Sequence, residues 1–158
     1  MSRYLGDFIL PEIDRLNEPW FTSGKLMVQQ CNDCGNAQHP PDDVCYSCGS
    51  FSMGYQELAG TGVVESAVTV WHAAHPDLAD RVPYVVAVVA MDGAPGCNAI
   101  GNIVNAEPGE VPVGRKVHVV YERAGENLQI PQWELSRAPP PNEGSQKPAT
   151  ADRGATDA

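Results

Sequence analysis

Four of the five cysteines form two close pairs, and their spacing is typical of a metal site. The pairs are Cys31-x2-Cys34 and Cys45-x2-Cys48. A CxxC turn directs two sulfurs at one centre, so two such turns supply the four ligands of a tetrahedral thiolate site. Each pair is followed by a glycine, which relieves the tight backbone of the turn. Because four ligands leave no open position, we predict one structural zinc per chain, held by these cysteines.

The same cysteines could also form two disulfides, or they could bind iron as in a rubredoxin. Thiols of a cytoplasmic chain stay reduced, and the short loop between Cys34 and Cys45 favours a compact zinc ribbon. Between Cys31 and Gly49 the charged residues are Asp33, Asp42 and Asp43, with no Lys or Arg. A ribbon that reads nucleic acid would carry basic residues there, so we expect a scaffold role.

The other groups that could do chemistry lack the partners that catalysis needs. Cys97 stands alone in a Gly- and Pro-containing loop, with no activating base or positive charge nearby. His39 lies between the knuckles, and we interpret it as a loop residue because the cysteines already complete the metal shell. His72 and His75 have no carboxylate at metalloprotease spacing, and Pro76 prevents a regular helix there. We therefore predict no catalytic residue.

Composition limits the classes of partner. Among 158 residues, 10 Lys and Arg stand against 20 Asp and Glu, for a net charge of −10. This balance argues against binding nucleic acid or an anionic membrane surface. The longest apolar run is far shorter than the roughly 20 residues that span a bilayer. The first residues lack the apolar core of a signal peptide, so we expect a soluble, cytoplasmic protein.

The pattern of elements predicts four segments and a mainly β fold. Short helices, predicted at 11–17 and 19–23, lie in an N-terminal segment at 1–24. A rubredoxin-like zinc ribbon follows at 25–54, a barrel at 55–137 and a Pro-rich tail at 138–158. We predict barrel strands at 62–71, 84–91, 99–104, 117–122 and 128–135. Five strands at short spacing with no long helix between them fit a closed OB-fold barrel. The tail has too few apolar residues to order by itself.

Several large apolar residues are candidates for a partner interface. Trp20 and Phe21 lie on a short helix with little core of its own, so docking on the same domain and docking on another chain both fit. The strand at 84–91 is apolar throughout, which fits burial on both faces or one face against a partner. We expect Trp20, Phe21, Trp71 and Tyr84 at such an interface.

A resemblance to a known family rests on an ordered set of segments. They are Asn17-Glu18-Pro19-Trp20-Phe21, Gly24-Lys25-Leu26, the two cysteine knuckles with His39-Pro40-Pro41 between them, Gly60-Thr61-Gly62-Val63-Val64-Glu65-Ser66, Pro83-Tyr84-Val85-Val86-Ala87-Val88-Val89, Gly101-Asn102-Ile103-Val104 and Val113-Gly114-Arg115-Lys116-Val117. Over about residues 15–137 the chain resembles the zinc-ribbon plus OB-fold family associated with acyl-CoA enzymes, formerly a domain of unknown function. Tyr46 and Asp42 depart from the family, which often has Pro and commonly has a basic residue at these positions. The departures argue against a phosphate or CoA role for that loop, but not against metal binding.

The resemblance implies an accessory subunit rather than a freestanding enzyme. Family members work beside a thiolase-like catalytic subunit in a hetero-oligomer, with the acyl-CoA substrate at the shared interface. The implied settings include retro-aldol cleavage of a steroid side-chain acyl-CoA, acyl-CoA condensation and acyl transfer, and some relatives work beside a hot-dog-fold hydratase. A nucleic-acid-binding OB module and an iron electron-transfer protein are the alternatives from other classes.

Overall fold

The computed structural model describes residues 10–137, so the predicted tail at 138–158 lies outside the described residues. Within that part the chain forms one short α-helix, eight strands and a 3-10 turn at Pro76–Leu78. Between residues 10 and 137, no helix is long and apolar enough to cross a bilayer. The prediction of a mainly β fold with a ribbon before a barrel is confirmed.

Between residues 10 and 24, the described part of the N-terminal segment, the chain forms one helix, α1, at Glu18–Thr22. The sequence predicts a further helix at 11–17, and this prediction is wrong. The Asp14 carboxylate accepts hydrogen bonds from the backbone N–H groups of Leu16 and Asn17, both at 2.8 Å. In a helix these N–H groups would donate to backbone carbonyls, but here the Asp14 side chain accepts from them. The chain therefore forms a turn before α1 in place of a helix at 11–17.

The ribbon is a three-stranded antiparallel sheet. Its strands are β1 (Met27–Cys31), β2 (Ala37–Gln38) and β3 (Met53–Glu57), in the order β2-β1-β3. Gln29 of β1 lies opposite Gln38 of β2. Strand β3 pairs with β1 over its whole length, so the ribbon sheet crosses the predicted boundary between 54 and 55.

The barrel contains the five predicted strands, each within two residues of its expected ends. They are β4 (Thr61–Val70), β5 (Tyr84–Met91), β6 (Asn98–Ile103), β7 (Lys116–Ala124) and β8 (Leu128–Leu135). Their order is β4-β5-β6-β8-β7, and pairing of β4 with β7 closes the barrel. A β-bulge interrupts the β4–β5 register between Val64 and Ser66. Closure removes the free sheet edges, as in an OB-fold.

One apolar core joins the ribbon to the barrel. Trp133 and Val64 are almost completely buried inside the barrel, and Leu26 and Val28 of the ribbon belong to the same cluster. Gly101 makes room for the indole, because a Cβ at that position would lie 2.9 Å from Trp133 Cδ1. The ribbon therefore packs on the barrel through this shared core, which does not include the four paired cysteines.

Candidate metal centre

The four paired cysteines converge on one point. Their Sγ atoms all lie within 4.8 Å of one another. The Cys31–Cys48 and Cys34–Cys45 sulfur distances are both 3.6 Å. Four sulfurs around zinc, at bonds of about 2.3 Å, would be about 3.8 Å apart, whereas a disulfide requires about 2.05 Å. The donor set therefore fits a tetrahedral zinc, and the disulfide alternative is wrong.

The two knuckles have the same backbone design. The N–H of Gly35 donates to the carbonyl of Cys31 at 2.9 Å, and the N–H of Gly49 donates to that of Cys45 at 3.0 Å. Both glycines have positive φ, 74° and 73°, a conformation that side chains disfavour. The sequence prediction of a glycine-relieved turn is thus confirmed in both pairs.

The first and second thiols of each knuckle differ in acidity. The backbone N–H of Cys34 lowers the pKa of Cys31, and the N–H of Cys48 lowers the pKa of Cys45 to about 6. Each second thiol also receives a backbone N–H, from two residues further along, but burial and the sulfurs of Cys31 and Cys45 outweigh its effect on the pKa. The pKa of Cys34 is therefore raised, and that of Cys48 is raised to about 12. Zinc must displace the remaining protons when it binds.

A pair of buried glutamines holds the loop that carries Cys45, and the sequence interpretation missed them. The amide of Gln38 donates to Gln29 Oε1 at 2.8 Å, and Gln29 Nε2 donates to the carbonyl of Asp42 at 2.7 Å. The N–H of Tyr46 donates to Gln38 Oε1 at 2.9 Å. Strand periodicity could have identified Gln29. It lies two residues before Cys31, so in a strand both side chains are on the same face.

The other candidate groups take structural positions. Cys97 is buried directly before β6, and burial raises the pKa of its thiol, partly offset by the backbone N–H of His39. His39 stacks on Trp20 with ring centroids 4.3 Å apart, and burial lowers the pKa of His39. Cys97 is thus a buried thiol that receives a hydrogen bond from the ribbon, and its interpretation as non-catalytic stays a prediction.

The four residues expected at a partner interface lie on two neighbouring surfaces. Trp20 and Phe21 line a groove of about 430 Å³ between α1, the ribbon and β6. Trp71 follows β4 and is 69% exposed, and Tyr84 begins β5 half-buried, opposite Val70. The interface role of these residues remains a prediction.

A four-thiolate ribbon on a closed five-stranded barrel defines a zinc-ribbon plus OB-fold protein. Residues 22–54 match the model of the "ChsH2, rubredoxin-like zinc ribbon domain", and residues 55–122 match that of the "ChsH2, C-terminal OB-fold domain". The cofactor prediction of one structural zinc is borne out by this match and by the sulfur geometry. The chain belongs to the ChsH2 family, also called DUF35.

Two curated relatives carry different descriptions. The chain is 36% identical over 124 residues to a "Probable enoyl-CoA hydratase alpha subunit" of Thermomonospora curvata, covering 77% of this chain but 38% of that protein. It is 30% identical over 104 residues to a "DUF35 domain-containing scaffold protein" of Methanocaldococcus jannaschii, covering 65% of this chain and 71% of that one. The chain thus spans less than half of the first relative and most of the second.

Solved structures support the same assignment. A chain of the "Ltp2-ChsH2(DUF35) aldolase" superposes with a TM-score of 0.70 at 33% identity, covering 80% of this chain and 98% of that one. A DUF35 protein of unknown function from Sulfolobus solfataricus superposes with a TM-score of 0.50 at 18% identity, covering 85% and 90%. The second match supports the fold alone.

Proposed function

We propose that this chain is a non-catalytic accessory subunit of a thiolase-superfamily acyl-CoA enzyme, which it stabilises and whose CoA-thioester entrance it shapes. The observation that carries the proposal is the closed four-cysteine centre. Zinc acts on a substrate only through an open coordination position, and four protein thiolates leave none. The ion therefore holds the ribbon together, and the reaction belongs to another chain.

The reaction we assign to the complex is retro-aldol cleavage of a steroid side-chain acyl-CoA. Its support is the solved relative described as an aldolase, which pairs a ChsH2 chain with Ltp2. In this assignment the catalytic subunit breaks the carbon–carbon bond, and the acyl-CoA lies at the interface between the two chains. The reducing cytoplasm keeps the four thiols available for zinc.

A hydratase is a second partner that one observation favours. The relative described as a hydratase alpha subunit is much longer than this chain, which matches 38% of it. The same ribbon and barrel are thus found in one polypeptide with further sequence. We propose that a hot-dog-fold hydratase works together with this chain, and that its hydrated product is the substrate of the cleavage. A condensing or acyltransferase complex is the alternative setting.

Reconstitution tests the assignment. The substrate is a steroid whose side chain is a β-hydroxyacyl-CoA. It is given to the full chain alone, to a thiolase-superfamily subunit alone and to the two chains expressed together. Chromatography then measures the released ketone and shortened acyl-CoA. We expect turnover only when both chains are present, and none from this chain alone. Turnover by the isolated chain would contradict the proposal.

A further inference from the structure

The outer surface of the barrel has one side that is almost free of charge. Strand register places Val68 beside Val86 and Val88 beside Ile100, so these side chains share one face across β4, β5 and β6. The buried positions of β5 alternate with half-buried ones, which leaves Tyr84 and three smaller apolar side chains outward. We call the outward positions of β4, β5 and β6, apart from Glu65 at the bulge, the uncharged face.

The uncharged face differs from the opposite side of the barrel in charge and exposure. Ile100 is 73% exposed and Val68 is 59% exposed. Along these three strands the one outward carboxylate is that of Glu65, at the bulge, which accepts a hydrogen bond from Asn98 at 2.9 Å. On the β7–β8 side, by contrast, His118 lies 3.6 Å from the Glu134 carboxylate. Solvent-exposed apolar side chains grouped without charges are typical of an interaction site.

The uncharged face continues into the groove beside α1. Ile100 belongs to both, because it pairs with Val88 on the sheet and lines the groove together with Trp20 and Phe21. Pro40 and Pro41 also line the groove. Large aromatic side chains beside exposed apolar residues are typical of the energetic centre of a protein interface.

The size of this surface indicates a protein as its occupant. The eight residues of β5 extend about 26 Å at about 3.3 Å each, and three strands are about 10–15 Å wide. The face alone thus offers on the order of 300–400 Å², whereas a stable complex covers about 800 Å² on each partner. The groove is needed to approach that area, so one occupant must contact the sheet and α1 together.

We propose that the uncharged face and the groove form one docking surface for an apolar, uncharged patch of the catalytic subunit; this rests on the function proposed above. A second copy of this chain is a poorer occupant, because two chains of net charge −10 repel each other. A charged partner patch would lose its hydration here without gaining an opposite charge. The solved relative described as Ltp2-ChsH2 pairs two different chains, which supports a heterologous occupant.

Lysine substitutions on the exposed positions test this surface. Ile100→Lys and Val68→Lys are made in the full-length chain, where both side chains already face solvent, so the fold and zinc content should persist. The probe is the thiolase-superfamily subunit used in the reconstitution above, and calorimetry measures its Kd. We expect each lysine to weaken binding by at least about tenfold, because an interface centre tolerates no unpaired charge. The matched control is Phe51→Lys, on a ribbon residue that is 78% exposed; its Kd should stay within about threefold of wild type.

The outcomes separate the docking surface from the proposed function. If wild type binds and all three variants bind equally well, the surface is wrong while the accessory role stands. If wild type binds no catalytic subunit, the proposed function fails and the docking surface fails with it. Sedimentation of the isolated chain adds a third outcome: a homodimer that Ile100→Lys dissociates would make a second copy the occupant and overturn the proposal.

Discussion

The ribbon and the barrel are stabilised by different interactions, although they share a core. The barrel encloses Trp133 and a set of valines in a closed sheet. The ribbon has strands of two to five residues, and its interior consists largely of thiols and the amides of Gln29 and Gln38. A region this small cannot bury enough apolar surface to fold by itself, so a metal takes the place of a core.

This difference separates two tasks. The barrel is closed by pairing among its own strands, so we expect it to persist without the metal. The ribbon loop at 39–46 is held by the amides of Gln29 and Gln38, and we expect it to depend on zinc as well. Leu26 and Val28 connect the two regions through the shared core. We therefore expect perturbations to remain mainly in the region where they are made, and the following variants test that expectation.

The largest effect is expected for Cys45→Ser. Cys45 is a buried ligand, and its loss leaves three thiolates, so the apparent zinc-binding free energy of about 10–16 kcal/mol for such sites should largely disappear. Metal analysis should then find almost no zinc in the purified chain, and hydrogen exchange should show fast exchange in β1 and β2. Amides of β5 should stay protected, because that strand pairs on both sides within the barrel.

Cys97→Ser is the control for that variant. This thiol is also buried, but it lies outside the four-sulfur cluster. Zinc content should remain at one per chain, and stability should fall by about 1–3 kcal/mol because a hydroxyl replaces a thiol in a buried position. Global loss of barrel protection in Cys45→Ser would refute the separation of the two regions.

A smaller effect, in the other region, is expected for Trp133→Ala. Removing the buried indole should cost about 3–5 kcal/mol of unfolding free energy, through lost burial and the cavity left behind. Urea denaturation measures this cost, and the purified variant should still contain one zinc. If Trp133→Ala lost zinc at a temperature where it is still folded, the metal site would depend on the barrel core and not only on its four cysteines.

The sequence predicted most of the metal site and the barrel because both depend on local patterns. The CxxC spacing defined the four ligands, and bounded β-branched runs defined five strands, including β5 and β8 at their observed ends. The extra helix at 11–17 was predicted in error because the side chain of Asp14 offered a competing acceptor for backbone donors. Helical propensity alone does not reveal such competition.

The features that the sequence could not provide depend on contacts between distant segments. The uncharged face exists because β4, β5 and β6 align Val68, Val86 and Ile100, which lie up to 32 positions apart. The contact between His39 and Trp20 likewise joins the ribbon loop to α1. Which strands become neighbours in the barrel depends on the whole fold, so such surfaces become visible only in the folded chain.

The smallest effect is expected for Gln29→Leu. An apolar substitution at a buried position would be tolerated in the barrel, but here it leaves the N–H and carbonyl of Asp42 and the amide of Gln38 without their Gln29 partner. These unsatisfied buried groups should lower the free energy of unfolding by about 1–3 kcal/mol. Zinc release to a chelator should also be faster, because the loop that carries Cys45 loses these hydrogen bonds. The matched control is Gln30→Leu, one residue along the strand, whose amide makes an exposed hydrogen bond to Gly35 at 3.2 Å. Equal zinc release from the two variants would show that strand position, and not the buried amide, sets the stability of the ribbon.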